Sequence, residues 1–170
     1  MALAYLGLGS NLGDRLGMLR AALVELSPLG QVTACSSVYE TKPWGDPDQP
    51  AFLNLCCALQ TQLPPEVLHA ETKKIESRLG RRPTRRWGPR VIDIDLLTYD
   101  DLRLETPSLK IPHLGIEDRA FVLAPLAEIA PDARVPGLQG TVADLLARIP
   151  DVPSLVWVVA LPESVHPPSS

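Results

Sequence analysis

Several residue types are scarce in this chain of 170 residues, and each scarcity argues against a class of protein. Cysteine occurs three times without C-x-x-C spacing, so we expect neither a disulfide framework nor a zinc site, and we place the chain in the reducing cytoplasm. No apolar run approaches the roughly 18 residues that span a bilayer. The first residues lack the basic segment of a signal peptide, so neither a membrane nor an export function is expected.

Positive charge is also in deficit, with 16 basic residues against 20 acidic ones. The resulting net charge of −4 argues against a general binder of nucleic acid or of anionic membranes. One segment reverses this balance, because residues 77–92 contain six arginines and no acid, which leaves the remainder at −10. The arginines are Arg78, Arg81, Arg82, Arg85, Arg86 and Arg90. A dense basic segment in an acidic chain requires a local explanation.

Apolar periodicity and turn residues predict six elements in the order strand, helix, strand, strand, helix, strand. They occupy residues 3–8, 14–26, 31–39, 52–62, 65–79 and 91–99. Two split β-α-β units in this order form a ferredoxin-like α+β fold, an antiparallel sheet with both helices packed on one face. A hairpin over 98–110, helices over 119–130 and 141–149, and an edge strand over 155–161 follow. We expect a single domain over residues 1–161 and a flexible tail over 162–170.

Asp93 and Asp95 stand two residues apart in the last strand of that core. Side chains at this spacing share one face of a strand, about 6.6 Å apart at Cα, while Ile92, Ile94 and Leu96 point to the core. Adjacent carboxylates repel unless a cation lies between them, and oxygen ligands without Cys or His favour Mg²⁺. A polar strand face paired with nearby arginines explains the same two residues, and the pair alone does not decide between these interpretations.

The arginine segment immediately precedes this acidic pair. Guanidinium groups bind phosphate oxygens bidentately, and metal-binding carboxylates beside a phosphate-binding loop form the minimal apparatus for phosphoryl transfer. The alternatives are a solvated basic loop or a nucleic-acid contact in which Trp87 stacks on a base. Neither alternative explains why paired acids follow so soon after Arg90, because acids repel a nucleic-acid backbone.

The sequence alone does not decide the roles of residues 7–14 and of His113. Gly7 and Gly9 are expected to turn the chain after the first strand. Residues 9–14 lack the spacing and the lysine of a phosphate loop, so they predict a turn in which Asp14 favours the start of a helix. His113 lies in a proline-fixed loop with basic neighbours, where a phosphate contact and a structural hydrogen bond are equally good interpretations.

Several short motifs occur together, in a fixed order, between residues 3 and 131. They are Gly-Ser-Asn-Leu-Gly at 9–13, Val-Tyr-Glu-Thr at 38–41, Pro-Trp-Gly at 43–45, Phe-Leu-Asn at 52–54, Arg-Trp-Gly-Pro-Arg at 86–90, Asp-Ile-Asp at 93–95 and Pro-His at 112–113. This set closely resembles the 6-hydroxymethyl-7,8-dihydropterin pyrophosphokinases of folate biosynthesis. The combination of the arginine-tryptophan motif with the Asp-x-Asp pair is specific, and the family's ferredoxin-like fold agrees with the predicted order of elements.

The resemblance implies that ATP donates its β,γ-pyrophosphoryl unit to the hydroxymethyl oxygen of the pterin and leaves AMP. It implies a catalytic set in which Asp93 and Asp95 hold two Mg²⁺ ions while Arg81 and Arg90 clamp phosphates. The implied ATP-binding residues are Glu76, Arg81, Trp87, Arg90, Leu96, Lys110, His113 and Arg119. The implied pterin-binding residues are Thr41, Pro43, Trp44, Phe52, Asn54 and Phe121.

The sequence departs from the family pattern at two places. Leu114 follows the loop histidine where an aromatic residue is frequent, and the arginine loop is one residue shorter than in some relatives. That shorter loop leaves open which of Arg82, Arg85 and Arg86 contacts ATP.

Two alternative functions remain, a single-stranded nucleic-acid-binding ferredoxin-like module and a kinase that transfers only the γ-phosphate. We expect ATP and hydroxymethyldihydropterin as the substrates, no nucleic-acid or membrane partner, and a monomer.

Overall fold

The computed structural model describes residues 1–41, 48–82 and 88–150, and the backbone of 156–159. Eight strands and four α-helices lie within these ranges, joined in places by short 3₁₀ turns. In chain order they are β1 (Ala2–Ser10), α1 (Arg15–Leu26), β2 (Gln31–Cys35), β3 (Val38–Thr41), β4 (Phe52–Thr61), α2 (Pro65–Arg78), β5 (Asp93–Tyr99), β6 (Leu104–Glu105), β7 (Lys110–Ile111), α3 (Ala120–Ile129), α4 (Val142–Ala147) and β8 (Val156–Val159).

Six strands form one antiparallel sheet, in which β5, β1, β4, β3 and β8 lie side by side in that order and β2 also pairs with β4. Each of α1 and α2 therefore connects two strands that have a third strand between them, which defines a split β-α-β unit. The predicted ferredoxin-like α+β fold is confirmed. The predicted hairpin is present as the separate pair β6 and β7, but it is shorter than expected because residues 98–99 still belong to β5.

The alternation of side chains along the strands gives the sheet two different faces. On one face, Leu6, Leu55 and Ile94 are at most 1% exposed and pack with α1 and α2 in the larger apolar core. On the other face, Cys56 and Leu97 pack with α3 and α4 in a second apolar cluster. The N-terminal end of α3 borders the part of this second face that stays open as a cleft.

The strand predicted over 31–39 is divided in the structure at Ser36 and Ser37, so that prediction was wrong in detail. Ser36 N–H donates to Cys56 O at 2.9 Å, and Ser36 Oγ accepts Cys56 N–H at 2.9 Å. The hydroxyl thus replaces the backbone carbonyl that a regular ladder would supply. Cys35 lies opposite Cys57 while Tyr39 lies opposite Asn54, so the divided strand carries one extra residue, as in a bulge.

The link between β1 and α1 also differs in part from expectation. Gly7 and Gly9 do not turn the chain but lie inside β1. Glycine inside a strand often marks a place where another group comes close to the backbone, as Asn54 does at Gly9. Asp14 begins α1 as predicted, because its carboxylate accepts Gly17 N–H at 3.0 Å. Within the described ranges, no helix has the length and apolar character needed to cross a membrane.

Candidate active site

A cleft of about 310 Å³ opens on the α3 side of the sheet, across β5, β1 and β4. In the central strand, Gly9 lies between Asp93 and Asn54, and the next row places a second glycine opposite Asp95. Because glycine has no side chain, the middle of the cleft stays open between the carboxylates and the amide. The lining residues are Gly7, Leu8, Gly9, Thr41, Phe52, Asn54, Leu55, Cys56, Gly88, Arg90, Asp93, Asp95, His113, Arg119, Phe121 and Val122.

The acidic side of the cleft is formed by Asp93 and Asp95, which β5 places on one face as predicted, while Ile94 is buried on the other. Their side chains remain 23% and 31% exposed. Burial and the neighbouring charge of Asp93 raise the pKa of Asp95. The His113 ring, whose Nε2 lies 3.8 Å from Asp95 Oδ1, opposes that rise. Two carboxylates held together at this electrostatic cost suit a site that receives a cation.

Two arginines neutralise Asp93 in the structure. Arg81 Nη1 lies 3.3 Å from Asp93 Oδ1, and Arg90 Nη1 lies 3.5 Å from Asp93 Oδ2. Arg81 also forms an ion pair with Glu76 of α2. The two guanidinium groups come from opposite ends of the arginine loop, so both ends converge on one carboxylate. Such a convergence of cations forms a site for oxyanions.

Glu76, which belongs to α2, bonds to β5 from the face of the sheet opposite the cleft. Its Oε2 accepts Ile94 N–H at 2.6 Å and lies 3.1 Å from Lys73 Nζ, which in turn donates to Ile94 O at 3.0 Å. The carboxylate is only 4% exposed, and its charge is met by Lys73 and Arg81. Glu76 and Lys73 together hold both backbone groups of the residue between the two aspartates. Their contacts therefore fix the direction in which both aspartates point.

The opposite side of the cleft is formed by Thr41, Phe52 and Asn54. Asn54 Nδ2 donates to Thr41 Oγ1 at 2.8 Å, which fixes the orientation of the amide. A Cβ at Gly9 would lie 2.8 Å from Asn54 Oδ1, so a side chain there would displace that amide. An oriented amide beside an aromatic face can bind the polar edge of a flat heterocycle.

The third side is formed by α3 and the segment that precedes it. The Nδ1 atom of His113 lies 3.1 Å from Leu114 O, while Nε2 faces Asp95. Arg119 Cζ lies 5.9 Å from the centroid of the Phe121 ring, a cation–π arrangement. A histidine, an arginine and an aromatic ring thus border the same cleft as the two aspartates.

Most of the predicted site residues that the structure describes are brought together. Those that line the cleft are Thr41, Phe52, Asn54, Arg90, Asp93, Asp95, His113, Arg119 and Phe121. Lys110 lies exposed on β7, and Leu96 is buried in the core with α1 and α2, so their contacts with ATP stay predictions. Pro43, Trp44, Trp87, Arg85 and Arg86 lie outside the described residues.

Sequence reasoning missed three residues of this region, namely Gly9 as an open position, Lys73 as a partner of Glu76, and Asn11. Asn11 is buried and bonds both to Arg90 and to the segment before β4. Only two asparagines occur in the chain, Asn11 and Asn54, and both belong to this region. That rarity is the signal that could have identified Asn11.

The fold and the site together define a class of protein. A carboxylate pair flanked by arginines, facing an oriented amide across an open floor, suits an enzyme that transfers a phosphate group to a small polar acceptor. The sequence model of the 7,8-dihydro-6-hydroxymethylpterin-pyrophosphokinase (HPPK) family matches residues 5–131. The chain belongs to this family.

Individual relatives agree with this assignment. The chain is 49% identical over 151 residues to the 2-amino-4-hydroxy-6-hydroxymethyldihydropteridine pyrophosphokinase of Methylorubrum extorquens, covering 88% of this chain and 94% of the relative. It is 44% identical over 132 residues to the Aquifex aeolicus protein of the same name, with coverages of 78% and 82%. The predicted activity, that of an ATP-dependent pyrophosphokinase of folate biosynthesis, is confirmed, and the nucleic-acid alternative is not favoured.

A solved structure supports the fold independently. Wild-type Plasmodium falciparum HPPK-DHPS, crystallised with STZ-DHP, superposes with a TM-score of 0.70 at 18% sequence identity. The match covers 86% of this chain, which spans only 43% of that solved chain. At this identity the likeness concerns the fold alone.

Proposed function

We propose that the cleft binds 6-hydroxymethyl-7,8-dihydropterin and ATP side by side, and that the pyrophosphoryl group crosses the floor at Gly9 to the pterin hydroxymethyl oxygen, leaving AMP. One observation carries this proposal, the row of Asn54, Gly9 and Asp93 on three neighbouring strands. The row supports the proposal because an amide that can bind a heterocycle and a carboxylate beside two arginines lie on the two sides of one open floor.

The pterin occupies the side formed by Thr41, Phe52 and Asn54, with Phe121 across from it. The Asn54 amide is already oriented by Thr41, so it binds the amide-like edge of the pterin without first losing conformational freedom. The flat ring lies against the aromatic faces. Pro43 and Trp44 complete this side in our proposal.

ATP occupies the side of the arginines, with Arg119 and His113 near its phosphates and Lys110 further along. Arg81 and Arg90 both hold Asp93 in the structure, so the binding of a triphosphate exchanges one oxyanion for another at the same guanidinium groups. Arg81 keeps its ion pair with Glu76 during that exchange. In this proposal Glu76 therefore acts on ATP through Arg81 and through the backbone of β5.

We further propose that Asp93 and Asp95 hold Mg²⁺, two ions in the working complex. Among the described residues no three His, Cys, Asp or Glu side chains cluster as metal ligands, so phosphate and water oxygens complete the coordination. Burial and, after it, the charge of Asp93 raise the pKa of Asp95, and this supports the fit because a bound cation favours the ionised carboxylate. When bound, Mg²⁺ supplies charge neutralisation at the phosphates and acidifies the attacking hydroxyl.

The protein groups contribute mainly by positioning and by neutralising charge. Asn54 and the aromatic rings hold the pterin so that its hydroxymethyl arm reaches over Gly9. Arg81 and Arg90 stabilise the negative charge that the transferred group carries. Trp87 and the residues around it close over the phosphates and exclude water in our proposal.

Product analysis tests the proposed reaction most directly. The chain is incubated with ATP, Mg²⁺ and hydroxymethyldihydropterin, and both products are identified by mass spectrometry. We expect AMP and the pterin pyrophosphate in equal amounts, with no turnover when EDTA replaces Mg²⁺. ADP with a pterin monophosphate would instead indicate transfer of the γ-phosphate, and turnover in EDTA would contradict the metal role.

We propose in addition that the chain acts as a cytoplasmic monomer whose residues 1–161 form one domain and that it binds no nucleic acid. The three cysteines are free thiols, which supports a reducing compartment, and β8 pairs with β3 of the main sheet. Analytical ultracentrifugation tests the monomer, and a gel shift with random oligonucleotides tests nucleic-acid binding.

A further inference from the structure

Glu128 lies in the last turn of α3, and both oxygens of its carboxylate accept hydrogen bonds from the sheet. The Ser37 hydroxyl and N–H donate to Oε1 at 2.7 and 3.0 Å, and the Tyr39 hydroxyl donates to Oε2 at 2.6 Å. Hydrogen bonds to a carboxylate are about twice as strong as those between neutral groups. One side chain therefore binds the end of α3 to the start of β3.

The break that divides β2 from β3 supplies part of this contact. β2 ends at Cys35 and β3 begins at Val38, so Ser37 belongs to neither strand. Its N–H is directed to both oxygens of Glu128 rather than to a partner strand. A backbone donor that leaves the ladder needs another acceptor, and α3 provides one.

Two periodicities relate this contact to the cleft. Phe121 precedes Glu128 by seven residues, or two helical turns, so the two lie on one side of α3 about 10 Å apart along its axis. Tyr39 precedes Thr41 by two residues and shares its face of β3. Phe121 and Thr41 both line the cleft. Glu128 and Tyr39 therefore join α3 to β3 directly beside the part of the cleft that Phe121 and Thr41 border.

Apolar packing alone fixes α3 less strictly. Val122, Leu123 and Leu126 lie in the second apolar cluster, and apolar burial has no preferred direction. Cys56 Sγ donates to Val122 O at 3.5 Å, and a thiol is a weak donor. The directional bonds of Glu128 therefore restrict how far α3 can slide or rotate against the sheet.

We propose that Glu128 is a positioning residue for the pterin. It contacts no substrate and acts through α3, because its bonds to β3 set the separation between Phe121 and the opposite side of the cleft at Phe52 and Asn54. The inference rests on the proposed function, in which the pterin lies between these two sides. When the bonds of Glu128 are lost, α3 shifts and the flat ring loses contact with one aromatic face.

Glu128→Ala removes all of these bonds and is the informative variant. Glu128→Gln is the conservative one, because its oxygen accepts from Ser37 and its amide nitrogen donates to the Tyr39 hydroxyl, which also accepts. Asp132→Ala is the matched control, since it removes the same charge from an exposed residue just beyond α3. Ser37→Ala removes only the 2.7 Å bond and serves in place of Glu128→Ala if thermal unfolding shows that variant to be unfolded.

Steady-state kinetics separate a positioning role from one in stability. We expect Glu128→Ala to raise KM for the pterin about tenfold and KM for ATP less than about threefold, and Ser37→Ala to raise KM for the pterin about threefold. Glu128→Gln and Asp132→Ala should stay within about twofold of the original chain. A role in stability alone lowers the active fraction, and hence kcat, without changing either KM. An unchanged KM for the pterin overturns the proposal, as does an equal rise for ATP or in Asp132→Ala.

Fluorine NMR of the ligand-free chain tests the same inference without any substrate. The chain has only two phenylalanines, Phe52 on β4 and Phe121 on α3, and both line the cleft. With p-fluorophenylalanine incorporated, and Phe52→Leu used to assign the two signals, we expect Glu128→Ala to shift the Phe121 signal severalfold more than the Phe52 signal. An unmoved Phe121 signal, or equal shifts of both, overturns the proposal. Failure of the original chain to use the pterin refutes the proposed function instead, and the NMR result still decides whether Glu128 positions Phe121.

Discussion

Alternate residues of β5 form two faces, one that packs in the apolar core and one that borders the cleft. Ile94 and Leu96 lie in the apolar core with α1 and α2, whereas Asp93 and Asp95 face the cleft beside α3. The first face is closed and apolar; the second keeps two repelling carboxylates at its surface. Residues that stabilise the fold and residues that face the cleft therefore alternate along β5, so a substitution can change stability or activity separately.

The faces are nevertheless connected at one backbone unit. Glu76 and Lys73 reach from α2, on the apolar side, to the N–H and the C=O of Ile94. The carboxylates of the cleft are thus held in place by charged groups that the apolar side supplies. The predictions that follow break or sharpen this division.

The largest effect is expected at Asp95. We expect Asp95→Asn to lower kcat/KM by about a thousandfold or more, because the amide is a poor ligand for Mg²⁺. The same variant should raise the melting temperature. The pKa of Asp95 is raised by burial and by Asp93, so the folded chain holds this proton more tightly than the unfolded chain, and ionisation above the unfolded pKa costs stability.

Steady-state kinetics and thermal unfolding of the same preparation check both halves of that prediction. Activity within tenfold of the original chain would refute the metal role. A lower melting temperature would show that Asp95 supports the fold, which contradicts the division between the faces.

The neighbouring residue on the other face should give the opposite result. Ile94 is fully buried, and Ile94→Ala should lower the free energy of unfolding by about 2–4 kcal/mol through lost burial and a cavity. We expect kcat per folded molecule to change less than about threefold, since the backbone bonds of residue 94 are retained. Denaturant unfolding and kinetics below the transition test this. A loss of kcat like that of Asp95→Asn would remove the distinction between the faces.

A smaller effect is expected at the floor of the cleft. In Gly9→Ala the new Cβ would lie 2.8 Å from Asn54 Oδ1, so the amide must leave the orientation that Thr41 fixes. We expect KM for the pterin to rise about tenfold, equivalent to about 1.4 kcal/mol. Gly7→Ala is the matched comparison, because the nearest atom to its Cβ would be a Leu97 side-chain carbon at an ordinary 3.5 Å. An equal rise in both variants would show that Asn54 is not the cause.

The smallest effect concerns α4, which packs with α3 in the second apolar cluster. Asp144 accepts a bond from Thr141 N–H at 2.9 Å, and that bond holds its pKa below the ordinary range. Its contribution to stability is therefore complete above the unfolded pKa of about 4 and is lost as the pH falls through the lower folded value. Asp144→Asn should be slightly less stable at pH 7. Melting curves from pH 7 to 2 should converge; a constant gap would contradict the assignment.

The sequence predicted those features of the fold and site that depend on local patterns of residues. Alternation placed Asp93 and Asp95 on one face and Ile94 on the other, and the order of strands and helices gave the sheet. The family resemblance also implied nine residues that line the cleft. These features depend on a strand period or on residues that are neighbours in the chain.

The remainder depends on distant partners. The role of Asn11 arises from bonds to residues 38, 39 and 79 positions away, and Lys73 meets a backbone carbonyl 21 positions away. The break at Ser36 follows from a hydroxyl that bonds Cys56 N–H on another strand. Position 9 has no room for a side chain because Asn54 lies opposite on another strand. None of these contacts can be predicted from the spacing of residues within a single strand or helix.

The pairing of β8 with β3 has a consequence for encounters between chains. A strand at the border of a sheet presents unpaired N–H and C=O groups that recruit strands from other molecules. In this chain Val156–Val159 occupies that border along β3, although the family match ends at residue 131. The C-terminal strand thus moves the open border of the sheet from β3 to β8, and a chain cut at residue 150 would leave unpaired the backbone groups of β3 that now bond to β8.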